Sequence, residues 1–327
     1  MRFHKNVIAL FSGIGIALLI LDSKTALAGA LDGIQLCINT LIPSLFPFII
    51  LSSFLVKSLE GRNFRFLKGI NKFCGIPSGL GSIFLIGLIG GYPIGAKMIA
   101  DAYKHNSISK KDAQHMLGFC SNAGPAFLFG VISPQFSNPA IPWIIWGIHI
   151  LSAVLVGNVL CNHSNYAQPI KLQQSFSPSE IISSGIKAAA IISAWVILFR
   201  ILIFWLQRWL LFHLPAEFQV AFIGFVELTN GIIALKEITS IPIRIALCTA
   251  MLSWGGLCVL MQTYSVVSPL GIGKYLPGKV LQTGISLLLC IGIFSHPLLI
   301  TVVSVVLYAI YRLILQKNSR FSKVNTV

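Results

Sequence analysis

Four short polar stretches interrupt an otherwise apolar chain and hold most of the residues that could do chemistry. They are GGYPIG from residue 90, CSNAGP from 120, ELTNG from 227 and SWGG from 253. In CSNAGP, Pro125 offers no N–H to the carbonyl of Ser121 four residues earlier, and its ring pushes that turn open. Gly124 lets the chain unwind, and the following PAFLFGVI restarts a helix whose first amides point back toward Ser121 and Asn122. A helix start of this kind carries partial positive charge and suits an anion. The structural alternative is a proline kink whose freed groups are met by the Ser and Asn side chains.

GGYPIGAK reads as a hairpin tip made by Gly90, Gly91 and Pro93, with Tyr92 at its centre. Gly87, Gly91 and Gly95, four residues apart, give a small face for close helix contact. Lys97 follows the tip and either faces the site or snorkels to the membrane surface. Glu227 alone among the nine acids falls at a predicted buried tip, where a charge costs about 2.5–3.5 kcal/mol and calls for a partner or a proton. Thr229, Asn230 and Gly231 complete that polar turn, and Ser253, Gly255, Gly256 and Gln262 line the next helix. Arg200 lies well inside an apolar run and faces either a pore or the lipid surface.

The elements that position these residues are membrane helices. Of 327 residues, 55% are hydrophobic and 10% charged, and the mean hydropathy is +0.84. A water-soluble domain could hardly carry that composition on its surface, so the fold class is an all-α polytopic membrane protein. The net charge of +15 comes from basic residues in short turns, not from an aromatic-interleaved patch, which points to bilayer orientation and not to nucleic acid. The seven cysteines have no CxxC spacing and read as small buried hydrophobes; no metal site is expected. The seven histidines are scattered, and His149, the one expected inside a span, is read as structural.

Apolar runs long enough to cross a core about 30 Å thick lie roughly at 7–28, 34–56, 113–133, 142–161, 181–206, 243–266, 280–295 and 297–316. These make about eight transmembrane helices. Two more runs, 80–100 and 218–238, are broken at GGYPIG and ELTNG into arms too short to span, and read as re-entrant hairpins. The N-terminus resembles a signal peptide with an A-x-A site at Ala26 and Ala28, but an uncleaved first helix is preferred. With both termini cytoplasmic, most lysines and arginines fall on the inner side, Lys274 and Lys279 among them in one loop.

The order helix, hairpin, broken helix, helix occurs at 34–161 and again at 181–295. Three crossings per unit make the copies inverted, a pattern of secondary transporters. The chain therefore divides into a first helix (1–30), two inverted-repeat units (31–165 and 166–296), and a last helix with a basic tail (297–327). There is no phosphate-binding GK[ST] loop, HExxH, GxSxG or convergent carboxylate pair, so no enzyme activity is expected.

LIPSLFPFIIL at 41–51, GGYPIGAKMIADAY at 90–103, FCSNAGPAFLFG at 119–130, ELTNG at 227–231 and SWGGLCVLMQ at 253–262 together resemble the sporulation integral membrane protein (YlbJ-like) family. That resemblance implies a gate-type "nucleoside recognition" domain and a role in endospore formation, moving dipicolinic acid across the outer forespore membrane. It also implies that hairpin tips and broken helices enclose the substrate. Onto this chain it carries Gly91, Tyr92, Pro93, Gly95, Lys97, Ser121, Asn122, Gly124 and Pro125 in the first unit. In the second it carries Glu227, Thr229, Asn230, Gly231, Ser253, Gly255, Gly256 and Gln262. The glutamine-rich motif of true nucleoside carriers is missing.

The leading expectation is a transporter of a small anionic metabolite working by alternating access. Helix starts at 122–126 and 254–257 would hold carboxylates, Tyr92 would stack on a ring, and Lys97 or Arg200 would supply positive charge. No cofactor is expected beyond a coupling proton or Na+, taken by Glu227. The alternatives are a cation-coupled nucleoside or nucleobase carrier, and a membrane scaffold for spore assembly.

Overall fold

A computed structural model describes residues 2–59, 67–77, 80–161, 177–267 and 270–295. The expected last helix at 297–316 and the basic tail lie outside them. Every regular element among the described residues is helical.

The chain begins with α1 (Arg2–Leu21) and α2 (Ser23–Leu36), passes through a π-helical turn (Cys37–Leu41) and continues as α3 (Ile42–Leu59). The expected turn between the first two spans, near residues 29–33, is instead continuous helix, and the chain bends at Asp22. The reason is tertiary. Gly29 and Gly33 lie against the backbone of a later helix, α10 (Pro178–Trp209), so closely that a Cβ on Gly29 would sit 2.9 Å from Cα of Ile201. Asp32 pairs with Arg200, and Asp22 with Arg208, along the same seam. The first span thus runs from Ser23 to Leu55 and crosses against α10.

After α4 (Lys68–Cys74) the first hairpin is α5 (Gly81–Gly90) and α6 (Ile94–Lys104). Gly91 caps it with φ +75° and ψ −172°, a conformation that only glycine adopts freely. α7 (Lys110–Leu117) is started by Ser109, whose Oγ accepts from the Asp112 amide at 3.1 Å and donates to the Asp112 carboxylate at 2.7 Å. The run 113–133 is therefore not one span. Helix resumes only at α8 (Pro125–Phe127), which continues as a π-turn (Leu128–Ile132). α9 (Ala140–Val159) closes the first unit.

The second unit repeats this order: the long α10, a hairpin of α11 (Ala216–Val226) and α12 (Leu228–Ala234), a broken helix of α13 (Ile241–Trp254) and α14 (Gly256–Val266), and α15 (Tyr275–Ser295). Proline in the first turn starts both α10 and α13. Among the described residues five helices, Ser23–Leu55, Ala140–Val159, Pro178–Trp209, Ile241–Val266 and Tyr275–Phe294, are long and apolar enough to cross a membrane. The molecule is an all-helical polytopic membrane protein.

Two large apolar clusters form at opposite ends of α9 and α15. One joins the first hairpin to Ala153 and Val156 of α9 and to Tyr275 at the start of α15. The other joins the second hairpin to Ile141, Ile145 and Ile148 of α9 and to Leu289 and Cys290 late in α15. The hairpins therefore pack at opposite ends of the bundle. Between the clusters, polar side chains collect.

Candidate functional site

Each hairpin tip is seated on the break of its own unit. In the first, a Cβ on Gly91 would lie 3.0 Å from the Gly124 amide nitrogen, and one on Gly124 would lie 2.9 Å from that of Gly91. Gly87 and Gly95, on the two arms, hold the Cys120 carbonyl between them, leaving no room for a side chain. In the second, Gly256 sits so that a Cβ would fall 2.9 Å from the Leu228 amide nitrogen, and Gly231 crosses the backbone of Gly224. Gly255 and Gly256 take φ of +86° and +80°, so the chain can turn there without a side chain's strain.

The first tip also reaches across to the second break. Tyr92, half-buried, donates its hydroxyl hydrogen to the Leu252 carbonyl at 3.0 Å, and its ring lies 3.5 Å from where a Gly255 Cβ would be. Asn122 and Ser253, one from each break, are wholly buried. Asn122 Nδ2 donates to the Phe119 carbonyl at 2.7 Å, bracing the unwound turn.

His149, at mid-α9, joins the two breaks. Its Nε2 accepts from the Ala123 amide at 3.2 Å, so the neutral ring carries its hydrogen on Nδ1, which lies 3.4 Å from Ser253 Oγ. The amide that was expected to face an anion is thus already capped by an imidazole. The following helical piece, three α-helical residues and then a π-turn, is short.

α15 supplies the remaining polar groups. Lys279, Gln282 and Ser286 are buried on one face, a polar stripe at helical spacing on an apolar span. Gln282 Nε2 donates to Asn122 Oδ1 at 3.0 Å and to the His149 carbonyl at 3.2 Å, while its Oε1 accepts from Lys279 Nζ at 2.8 Å. Lys279 Nζ also donates to Tyr92 Oη at 3.2 Å, and lies 4.9 Å from the Tyr92 ring centre and 5.8 Å from that of Tyr275. An aromatic face so placed attracts a cation.

Glu227 is buried, starts α12, and accepts from the Asn230 amide at 2.6 Å, with Thr229 and Asn230 beside its carboxylate. It stands next to Gly256, on the far side of the second break from Tyr92. Gln262, buried on α14, donates to Cys258 Sγ at 3.3 Å.

The structure therefore gathers Gly91, Tyr92, Asn122, Gly124, Ser253 and Gly255 into one layer, with Glu227, Thr229, Asn230, Gly231 and Gly256 adjoining it. Ser121 is buried in the first break, Pro125 restarts the helix there, and Pro93 and Gly95 belong to the tip and its packing. Lys97 lies elsewhere. It is exposed and borders an open surface depression of about 590 Å³ with Ser179, Glu180 and Lys187. Arg200 also lies elsewhere, paired with Asp32 and 5.2 Å from the Phe204 ring centre. Lys279, counted with a cytoplasmic loop, is buried within α15 because that helix begins at Tyr275 and not at 280. Sequence reasoning passed over Lys279 and Gln282 and read His149 as structural. The three-residue spacing of Lys279 and Gln282 beside an apolar run was the available signal.

The chain is similar to the sporulation integral membrane protein YlbJ of Bacillus subtilis (strain 168), with 28% identity over 138 residues. The match covers 38% of this chain and 31% of that protein, so it spans about a third of the relative's length. No protein-family model matches the chain. No solved structure matches it either.

Proposed function

We propose that the chain is a secondary-type transporter that moves a small anionic metabolite across a membrane during endospore formation, with dipicolinic acid as the cargo. The observation that carries this reading is the polar layer between two apolar clusters, where both helix breaks and a hairpin tip converge. Transporter sites lie near the midplane, where broken helices of two repeats meet. The two hairpins, packed at opposite ends of α9 and α15, support an inverted arrangement in which access alternates between the two sides. The sporulation role rests on the likeness to the Bacillus protein.

Uptake of labelled dipicolinate into liposomes holding the purified chain tests the proposal. Asn122→Ala, which removes the side chain joining the first break to α15, is expected to reduce uptake strongly, and Glu227→Gln to uncouple it from its driving ion. Undiminished transport in both variants would reject the site. Competition by nucleosides would favour the nucleoside-carrier reading instead.

A further inference from the structure

Transport of an anion asks for a positive charge in the site, and the two cations expected to supply it, Lys97 and Arg200, lie outside the polar layer. Three further cations of the bundle are engaged elsewhere. Arg208 donates to Asp22 and Thr25, Arg244 to the Ile238 and Gln135 carbonyls, and Lys274 to the Leu160 carbonyl at 3.0 Å. Lys279 is the buried lysine among the described residues, 1% exposed, and it lies in the layer itself.

Its partners are unusual for such a position. A buried ammonium is ordinarily matched by a carboxylate. Among the described residues no carboxylate is within ion-pair distance of Lys279, whose acceptors are two neutral oxygens, Tyr92 Oη at 3.2 Å and Gln282 Oε1 at 2.8 Å. The Tyr92 and Tyr275 rings flank it. A Lys ammonium has three donors and forms its stronger hydrogen bonds with charged oxygens. An anionic oxygen entering between the first hairpin tip and α15 would replace Tyr92 Oη at Nζ.

We propose that Lys279 is the residue that selects a carboxylate cargo, and that Tyr92 holds its place while the site is empty. The inference rests on the transport reading and names the charge on which that reading's specificity depends. In the occupied state so proposed, a carboxylate meets Nζ and a planar ring attached to it lies beside the Tyr92 and Tyr275 rings, in room made by displacement of the tip. Occupation breaks the contact of Tyr92 with Lys279 and so loosens the tip that Tyr92 anchors.

The test compares pyridine-2,6-dicarboxylate with its neutral diamide, binding to the purified full chain in lipid nanodiscs and uptake into liposomes being measured in parallel. Wild type is expected to prefer the diacid by about tenfold or more. In Lys279→Gln, checked for folding by size-exclusion profile and helical circular dichroism, that preference falls to about one. Diamide binding stays where it was, which a merely structural lysine would not produce. An unchanged diacid preference in folded Lys279→Gln overturns the proposal, as does a wild type that transports the diacid yet binds both probes equally; transport itself would then stand. A wild type that neither binds nor transports the diacid removes the transport reading and this inference together. If Lys279→Gln does not fold, Tyr92→Phe decides: looser closure of the tip moves both probes, but the diacid shifts about threefold or more relative to the diamide. Equal shifts for both probes overturn it.

Discussion

The hydroxyl of Tyr92, on the hairpin of the first unit, donates to the Leu252 carbonyl of the second, 160 residues away and 3.0 Å distant. It occupies the last turn before the break at Gly255, so one side chain ties a hairpin tip of one half to the unwound helix of the other. Removing that hydroxyl should loosen the tip without disturbing either apolar cluster. A hydrogen bond of this kind contributes about 1 kcal/mol, which is about a fivefold change in how often the tip opens. Hydrogen exchange at the amides of residues 91, 92 and 94–96 is expected to quicken in Tyr92→Phe by that factor. Unchanged exchange there would show that Tyr92 does not hold the tip.

The glycine contacts give a graded expectation for packing. Gly87→Ala and Gly95→Ala each press a methyl onto the Cys120 carbonyl, and Gly231→Ala presses one onto the Gly224 backbone. Each should destabilise by about 1–3 kcal/mol or more, because backbone cannot step aside. Gly224→Ala meets the Met251 side chain, which can re-fold around a methyl, and should cost less. Gly147→Ala, with nothing within 4 Å, should be neutral or slightly stabilising. Thermal unfolding in one detergent ranks the five, and a Gly147→Ala protein as unstable as Gly95→Ala would contradict the packing described.

His149 caps the Ala123 amide inside the first break. His149→Leu leaves that donor buried without an acceptor, at a cost of about 1–3 kcal/mol. His149→Gln can offer an oxygen at a similar distance and should recover part of the loss. The melting temperatures should fall in the order wild type, Gln, Leu. Equal stability of the two variants would mean that the imidazole is only filling space.

Lys97 and Arg200 should prove dispensable for cargo recognition. Lys97→Gln and Arg200→Met are expected to keep uptake within about twofold of wild type, as surface changes away from a site usually do. Arg200→Met also leaves Asp32 without its partner on the seam between two membrane-spanning helices, so the melting temperature should fall even though uptake by the folded protein is kept. A large rise in KM for either variant would place that side chain in the transport path.

The breaks were legible because proline and glycine act locally. GGYPIG, CSNAGP and SWGG interrupt helices at residues that lack a donor or a Cβ, whereas ELTNG breaks at Glu227, whose carboxylate caps the helix that follows. What stayed hidden depends on partners distant in the chain. Residues 29–33 look like a turn until Gly29 and Gly33 are seen against α10. Lys279 looks like a loop cation because a lysine at the edge of an apolar run is ordinarily solvated, and only the start of α15 at Tyr275 carries it inward. His149 could be placed in a span from sequence, but its link between Ala123 and Ser253 needs both breaks to be brought to one helix.

The two apolar clusters and the layer between them also set which parts of the molecule are free to move. Each cluster is held by its buried area, which contributes about 25 cal/mol for every Å². The layer is held by hydrogen bonds among Tyr92, Asn122, His149, Lys279 and Gln282, each worth only about 0.5–1.5 kcal/mol and exchangeable for another polar partner. α9 and α15 run unbroken through both clusters and tie them together, so what this seam leaves free to move is a hairpin tip and not a whole cluster. The same contacts that would receive a cargo are the ones from which the first tip would lift.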